Sequence, residues 1–261
     1  MAHFYVGTGK SGAFRRESDG QSAGEAGMGD SFTEMMAILE GAADAAEHYS
    51  DAFTTVLPVT GAAVSTLGDV LGSETISATD DRAARLDERQ FDLGEGPCWD
   101  AMRSLAPVSE PAFASVGRRR WPAFTEAIRD ESVASIFAFP LAVGTLRLGA
   151  IDLYSLRPVT LDRSQVRRAS AMAEVIGRRV LRGALEDLDG SVDDLNPRSR
   201  RLVHQATGIV LAQLQIAPED ARLVIQGHAF ATSRSMMDVA ADITEGRLRF
   251  LRRSGRIEAT E

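Results

Sequence analysis

Apolar positions along the chain fall into three regimes. In the first, Phe32, Met35, Leu39, Ala42, Ala46, Tyr49 and Phe53 recur at alternating spacings of three and four, a seam along one helix face. Ser31 and Glu34 form the S-x-x-E capping box that starts this helix. From 60 to 158 the period shortens. The runs 60–67 and 73–79 are rich in small and β-branched residues around Gly-Asp and Leu-Gly turn signals and predict a hairpin. Residues 81–102 predict two short helices split by the loop Gly94–Pro97. Residues 107–112 predict a strand, and 121–130 a helix with Pro122 in its first turn. The apolar runs 133–144 and 147–156 predict two buried central antiparallel strands.

A second long helix is predicted over about 161–186, with Val166, Ala169, Ala173, Ile176 and Val180 repeating at three and four. Two seams at both ends of one domain allow two arrangements: each buries against the parent sheet, or the terminal helices pair two copies into a homodimer. Residues 187–197, DLDGSVDDLNP, form an acidic linker. The third regime is helical. Leu202, Val203, Ala206, Ile209, Val210 and Leu214 face inward on a helix over 197–215. Pro218 opens the next, whose stripe is Ala221, Val224, Ile225, His228 and Ala229. The last carries Ser235 and Asp238 at capping spacing, then Met236, Val239, Ala240 and Ile243, and ends at Gly246. Helices this short share one core, since none is stable alone.

Composition refines this. A chain of 261 residues has room for about two domains. Its 44% hydrophobic and 25% charged residues are ordinary for a globular protein. No apolar run approaches the roughly 18 residues of a membrane span, and the first residues lack a signal layout, so the expected location is the cytoplasm. Residues 1–30, rich in Gly and Ser, read as a disordered tail. A net charge of -8 argues against indiscriminate nucleic-acid binding but leaves room for a local basic patch. Such a patch stands at the end, where RLRFLRRSGR supplies Arg247, Arg249, Arg252, Arg253 and Arg256. The tail over 249–261 is either an electrostatic arm or a frayed, solvated end.

Candidate chemistry is sparse. Cys98, the single cysteine, excludes an intramolecular disulfide. It follows Gly96-Pro97 at a helix start, where a thiol pKa falls, so a redox switch stands beside the plainer role of a buried apolar residue. Trp99 and Trp121 either line a ligand cavity or pack. His3, His48, His204 and His228 lack zinc spacing, and no metal site is expected. Neither a phosphate-binding Gly-Lys loop nor a nucleophile elbow is present. The chain is not expected to be an enzyme.

Two resemblances gather these observations. LDERQFDLGEGPCWDAM, RWPAF (120–124), ASIFAFPL (134–141) and LGAIDLY (148–154), in that order, resemble a GAF domain, in the actinobacterial version with a GEGPC-x-DA loop. The resemblance implies an antiparallel sheet flanked by helices, and a sensor or dimerisation role. The N-K-x-x-F core of cyclic-nucleotide GAF domains is absent, and no haem or metal ligand set is present. No cofactor is implied, and the small-molecule ligand of the domain stays open. The segment from about 195 to 248 resembles the ANTAR domain, through Ser199, Arg200, Gln205, Ala206, Gly208, Asp220, Ala221, Ala229, Val239 and Ala240. That family binds paired RNA hairpins and prevents transcription termination. Two family positions differ: its lysine is Thr207 here, and its second-helix arginine is Gln226.

The expected fold class is therefore α+β: a GAF-like domain over 31–186, the linker, then an all-α three-helix ANTAR-like bundle over 198–248. The expected function is a signal-responsive antiterminator with RNA, not DNA or membrane, as partner. Arg200, Gln205, Thr207, Gly208, Ser233, Arg234, Arg247 and Arg249 are the candidate RNA contacts, and Cys98, Trp99 and Trp121 the candidate sensor positions. The alternative is a degenerate bundle that serves dimerisation or partner docking without RNA.

Overall fold

The computed structural model describes residues 31–41, 45–67, 71–188, 201–253 and 255–260. The expected tail over 1–30, most of the linker and Arg200 lie outside them. Helix α1 spans 31–41, and α2 spans Tyr49–Val56 after a 3-10 turn at Ala45–His48. A five-stranded antiparallel sheet follows in the order β2-β1-β5-β4-β3. Its strands are β1 (Gly61–Thr66), β2 (Glu74–Ala78), β3 (Val108–Glu110), β4 (Ser135–Val143) and β5 (Leu146–Ser155). Between them run α3 (Asp81–Leu93), α4 (Pro97–Ser104), α5 (Phe113–Arg120) and α6 (Pro122–Ala127), and α7 (Arg163–Leu188) closes the domain. This is the antiparallel sheet flanked by helices that the GAF resemblance implies.

The sheet is buried on both faces, which is why β4 and β5 read as unbroken apolar runs rather than as an alternation. Period two is still visible in what each side chain meets. Phe137, Phe139 and Leu141 of β4 join Ile151 and Leu153 of β5 under α1, α2 and α7. Ile136, Ala138 and Tyr154 face the opposite layer with Trp121, Phe124 and Leu86. At Gly149 the β5 backbone runs so close to β1 that an added Cβ would lie 1.9 Å from the Ser65 carbonyl oxygen.

Both helical seams are used inside the domain. Leu39, Tyr49, Phe53, Ala169, Ala173 and Ile176 are buried together against the sheet, with Phe32, Met35, Val166 and Val180 packed at the margin. Of the two arrangements the periodicity allowed, burial on the parent sheet is the one the fold takes. Leu39 and Ile176, one from each seam, are buried within this single chain, while Ala46 is exposed and Ala42 lies outside the described residues. The first helix is also shorter than its seam suggested, with α1 and α2 as separate elements.

The C-terminal bundle consists of α8 (Arg201–Leu214), α9 (Pro218–Thr232) and α10 (Met236–Thr244). The expected devices are in place. Pro218 takes the first turn of α9, and the Ser235 side chain accepts the Asp238 amide at the start of α10. Val203, Ala206, Val210, Ala221, Ile225, Met236, Val239 and Ile243 form its core. The basic tail, for which the sequence left an electrostatic arm or a frayed end open, forms a hairpin of β6 (Arg249–Arg253) and β7 (Arg256–Thr260).

Since Leu39 and Ile176 are core residues, Ile176→Ala is expected to cost about 2–5 kcal/mol of stability. Leu39→Asp combined with Ile176→Asp is expected to unfold the domain. Thermal denaturation with light scattering checks this; a folded double variant at half the wild-type mass would return the seams to a dimer interface.

Candidate nucleic-acid interface

The candidate contacts divide by what already holds them. Gln205 and Gly208 lie exposed on α8, and the space beside Gly208 is open. Thr207, one helical step between them, is half-buried and donates its hydroxyl to the Val203 carbonyl at 2.7 Å, so it is tied to its own helix. Ser233 is exposed in the left-handed conformation at the end of α9, with φ 55°.

Arg234 and Arg247 serve the bundle itself. The Arg234 guanidinium donates to Asp242 Oδ2 at 2.6 Å and to the Asp238 carbonyl at 3.2 Å. Arg247 reaches the other oxygen of Asp242 at 2.6 Å and also pairs with Glu245. Arg234 first, then Arg247, hold the Asp242 carboxyl below its ordinary pKa. Arg249 is exposed on β6. The bundle therefore brings Gln205 and Gly208 together on one helix but withdraws Thr207, Arg234 and Arg247 into internal bonds.

The bundle also rests on the N-terminal domain, which the sequence did not reveal. The last turn of α3 is the seat. Gln226 Nε2 of α9 donates to the Asp92 carbonyl at 2.8 Å, and the Met236 amide, first in α10, donates to Asp92 Oδ1 at 3.1 Å. Gly94 ends α3 with φ 60°, and an added Cβ there would lie 3.1 Å from Gln226 Nε2. The Arg222 guanidinium sits 5.4 Å from the ring centroids of both Phe91 and Trp99. Leu67, Phe91, Cys98 and Ala150 are buried in one cluster with the bundle core. Gln226, which stands where the ANTAR pattern has arginine, thus has a place as an interdomain donor.

Two of the candidate sensor residues belong to this seat. Cys98 is fully buried, and its amide donates to Gln90 Oε1 at 2.9 Å. Trp99 donates its indole N–H to the Gln90 carbonyl at 2.7 Å. Trp121 lies elsewhere, stacked on Phe113 at 6.3 Å with its N–H on Asp100 at 3.1 Å. A cavity of about 410 Å³ opens between the domains, lined by Arg89, Asp92, Ala123, Glu126, Phe230 and Arg234 among others. None of the three is among its lining residues. No cluster of His, Cys, Asp and Glu among the described residues is arranged to hold a metal ion, and no helix there is long and apolar enough to cross a membrane.

The five-stranded antiparallel sheet flanked by helices and the three-helix bundle give the chain two parts. Residues 196–243 match the ANTAR domain family. Comparison with curated proteins finds no match. Among solved structures, the GAF domain of a phosphoenolpyruvate-protein phosphotransferase from Coxiella burnetii is similar at 12% identity and a TM-score of 0.49, over 62% of this chain and 96% of that one. The nlh2 GAF domain of A. aeolicus, in an inactive state, is similar at 16% and 0.41, over 62% and 97%. The chromophore-binding domain of a bacteriophytochrome from R. palustris is similar at 12% and 0.45, over 67% of this chain, which spans 65% of that relative's length.

Two outcomes follow from this geometry. Asp92→Ala removes the acceptor for the first amide of α10, and Gln226→Ala the donor to α3. Each is expected to cost about 1–3 kcal/mol and to speed amide exchange in the first turn of α10 or the last of α3; unchanged exchange in both variants would mean the seat bears no load. For Asp242, a carboxyl pKa lowered in the folded chain stabilises above the ordinary carboxylate range and stops doing so as pH falls through the lowered value. Acidification is thus expected to release Arg234 and Arg247, and Asp242→Asn to remove that acid step, as read by NMR titration of the arginine side chains.

Proposed function

We infer that the chain is a GAF-controlled ANTAR regulator of the actinobacterial type, which binds paired RNA hairpins in nascent transcripts in the cytoplasm and prevents their termination. The observation that carries this is the ANTAR match over 196–243, folded as α8–α10 with Gln205 and Gly208 exposed on one helix. RNA recognition reads unstacked loop bases and backbone, for which exposed amide and guanidinium groups near an open helix surface are suited. Gln205, Gly208 and Ser233 are the proposed loop contacts, with Arg200 preceding them in the chain.

Control is proposed to pass through the last turn of α3. A ligand or redox event in the N-terminal domain that moves α3 against α4 alters the acceptors offered to Gln226 and Met236, and with them the presentation of the bundle. Homodimerisation, if the active form needs two bundles for two hairpins, then uses surfaces other than the two buried seams.

A second reading has its own support. Thr207 and Gln226 stand where the family has basic residues, and both are engaged within the protein. On that reading the bundle docks a protein partner and leaves RNA alone. Crosslinking in cells followed by sequencing of co-purified RNA separates the two. Enriched paired hairpins support antitermination, and none from well-expressed protein supports docking. With a labelled two-hairpin RNA, Gln205→Ala is expected to weaken binding roughly ten-fold, about 1.4 kcal/mol, and to change which loops are preferred; equal loss across all loops would remove Gln205 from base recognition.

A further inference from the structure

The C-terminal hairpin is an anchored ribbon with its charges left open. Its base is fixed: Gly246 turns with φ 77°, and the amides of Arg247 and Leu248 both donate to the Asp242 carbonyl, at 2.8 and 3.1 Å. Phe250 is buried, its amide donates to Gln213 Oε1 of α8 at 2.9 Å, and its ring meets His228 edge-on at 5.4 Å. From that anchor β6 and β7 extend with exposed side chains on nearly every position.

Register sets which charges act together. Cross-strand partners share a face of the ribbon, and partners here are Arg249 with Thr260, Leu251 with Glu258, and Arg253 with Arg256. Arg249, Arg253 and Arg256 therefore line one face, with Arg249 and Arg253 roughly 13 Å apart along the strand and the single acid Glu258 between them, opposite Leu251. Arg252 stands on the other. Among the described residues none of these four arginines has a carboxylate within ion-pair distance, whereas Arg234 and Arg247 both pair with Asp242, and Arg247 also with Glu245. Arg253 directly opposite Arg256 is a like-charge pair that destabilises the hairpin unless an anion lies over it.

We propose that this ribbon is a phosphate-gripping arm for RNA: Arg249, Arg252, Arg253 and Arg256 bind the sugar–phosphate backbone beside the hairpin loop read by α8. The proposal rests on the RNA-binding function inferred above and deepens it. The source is taken as RNA because the ribbon is pinned to α8, the helix that carries Gln205, with its anchor Gln213 about 12 Å further along the same helix. Backbone contacts carry no sequence information, so the arm adds affinity and leaves loop choice to the bundle. It also supplies the charge that Thr207 and Gln226 do not.

The test uses the full chain and a fluorescein-labelled two-hairpin RNA, titrated at several salt concentrations. A variant combining Arg249→Gln, Arg252→Gln, Arg253→Gln and Arg256→Gln is expected to bind every loop sequence more weakly and to flatten the salt dependence by about three log units per log salt, from roughly 0.7–0.9 for each phosphate released. Lysine at the same four positions is expected to retain the slope, and this charge-conserving variant guards against a folding defect. Arg247→Gln is expected to leave the slope nearly unchanged. Wild-type binding with an unaltered quadruple-glutamine variant would overturn the arm while keeping the RNA-binding function. A wild-type chain that binds no hairpin RNA would overturn both, and so would arginine-dependent binding to phosphatidylserine vesicles with none to RNA.

Discussion

A helix begins with amide donors that its own turns cannot satisfy. In this protein two such beginnings converge on the last turn of α3. Gln90 accepts the Cys98 amide near the start of α4, and Asp92 accepts the Met236 amide at the start of α10. One helix end thereby positions an element of its own domain and an element of the next. The rest of the junction follows from that placement: Gln226 on the Asp92 carbonyl, Arg222 between Phe91 and Trp99, and a shared apolar cluster behind them.

Short helices explain why such a junction exists at all. α10 has 9 residues and α8 has 14, lengths that are marginal in isolation and need an apolar partner. The bundle supplies much of that partner itself. Phe91, Cys98 and Ala150 from the N-terminal domain complete it, and burial of Cys98 in that position accounts for its apolar surroundings without invoking thiol chemistry.

What the sequence made legible follows the same physics. β4 and β5, the β1–β2 hairpin and the starts of α9 and α10 were readable because apolar runs, turn residues and caps act locally. The seams of α1, α2 and α7 were readable as apolar faces, but periodicity records only that a face is covered and never by what. Helix α5 gave no signal: its stretch FASVGRRR ends in three arginines and buries only Phe113 and Gly117. The hairpin at the end was hidden by arginines that occupy strand positions with no apolar alternation. Asp92 and Gln226 lie 134 residues apart and are both polar, so no local pattern could join them. Of the candidate site, exposure of Gln205 and Gly208 was foreseeable from helix phase. The capture of Arg234 and Arg247 by Asp242 was not, because an ion pair depends on rotamers rather than spacing.

The shared cap at Asp92 bears on how the chain is made. During synthesis the N-terminal domain emerges first, and α3 is complete long before Met236 leaves the ribosome. The final helix of the bundle thus meets a ready-made acceptor rather than having to nucleate unaided. Cut from its predecessor, the bundle would carry an unsatisfied first amide on α10 and a bare apolar flank. The division that the sequence draws at the acidic linker is accordingly crossed by the contacts that complete α10.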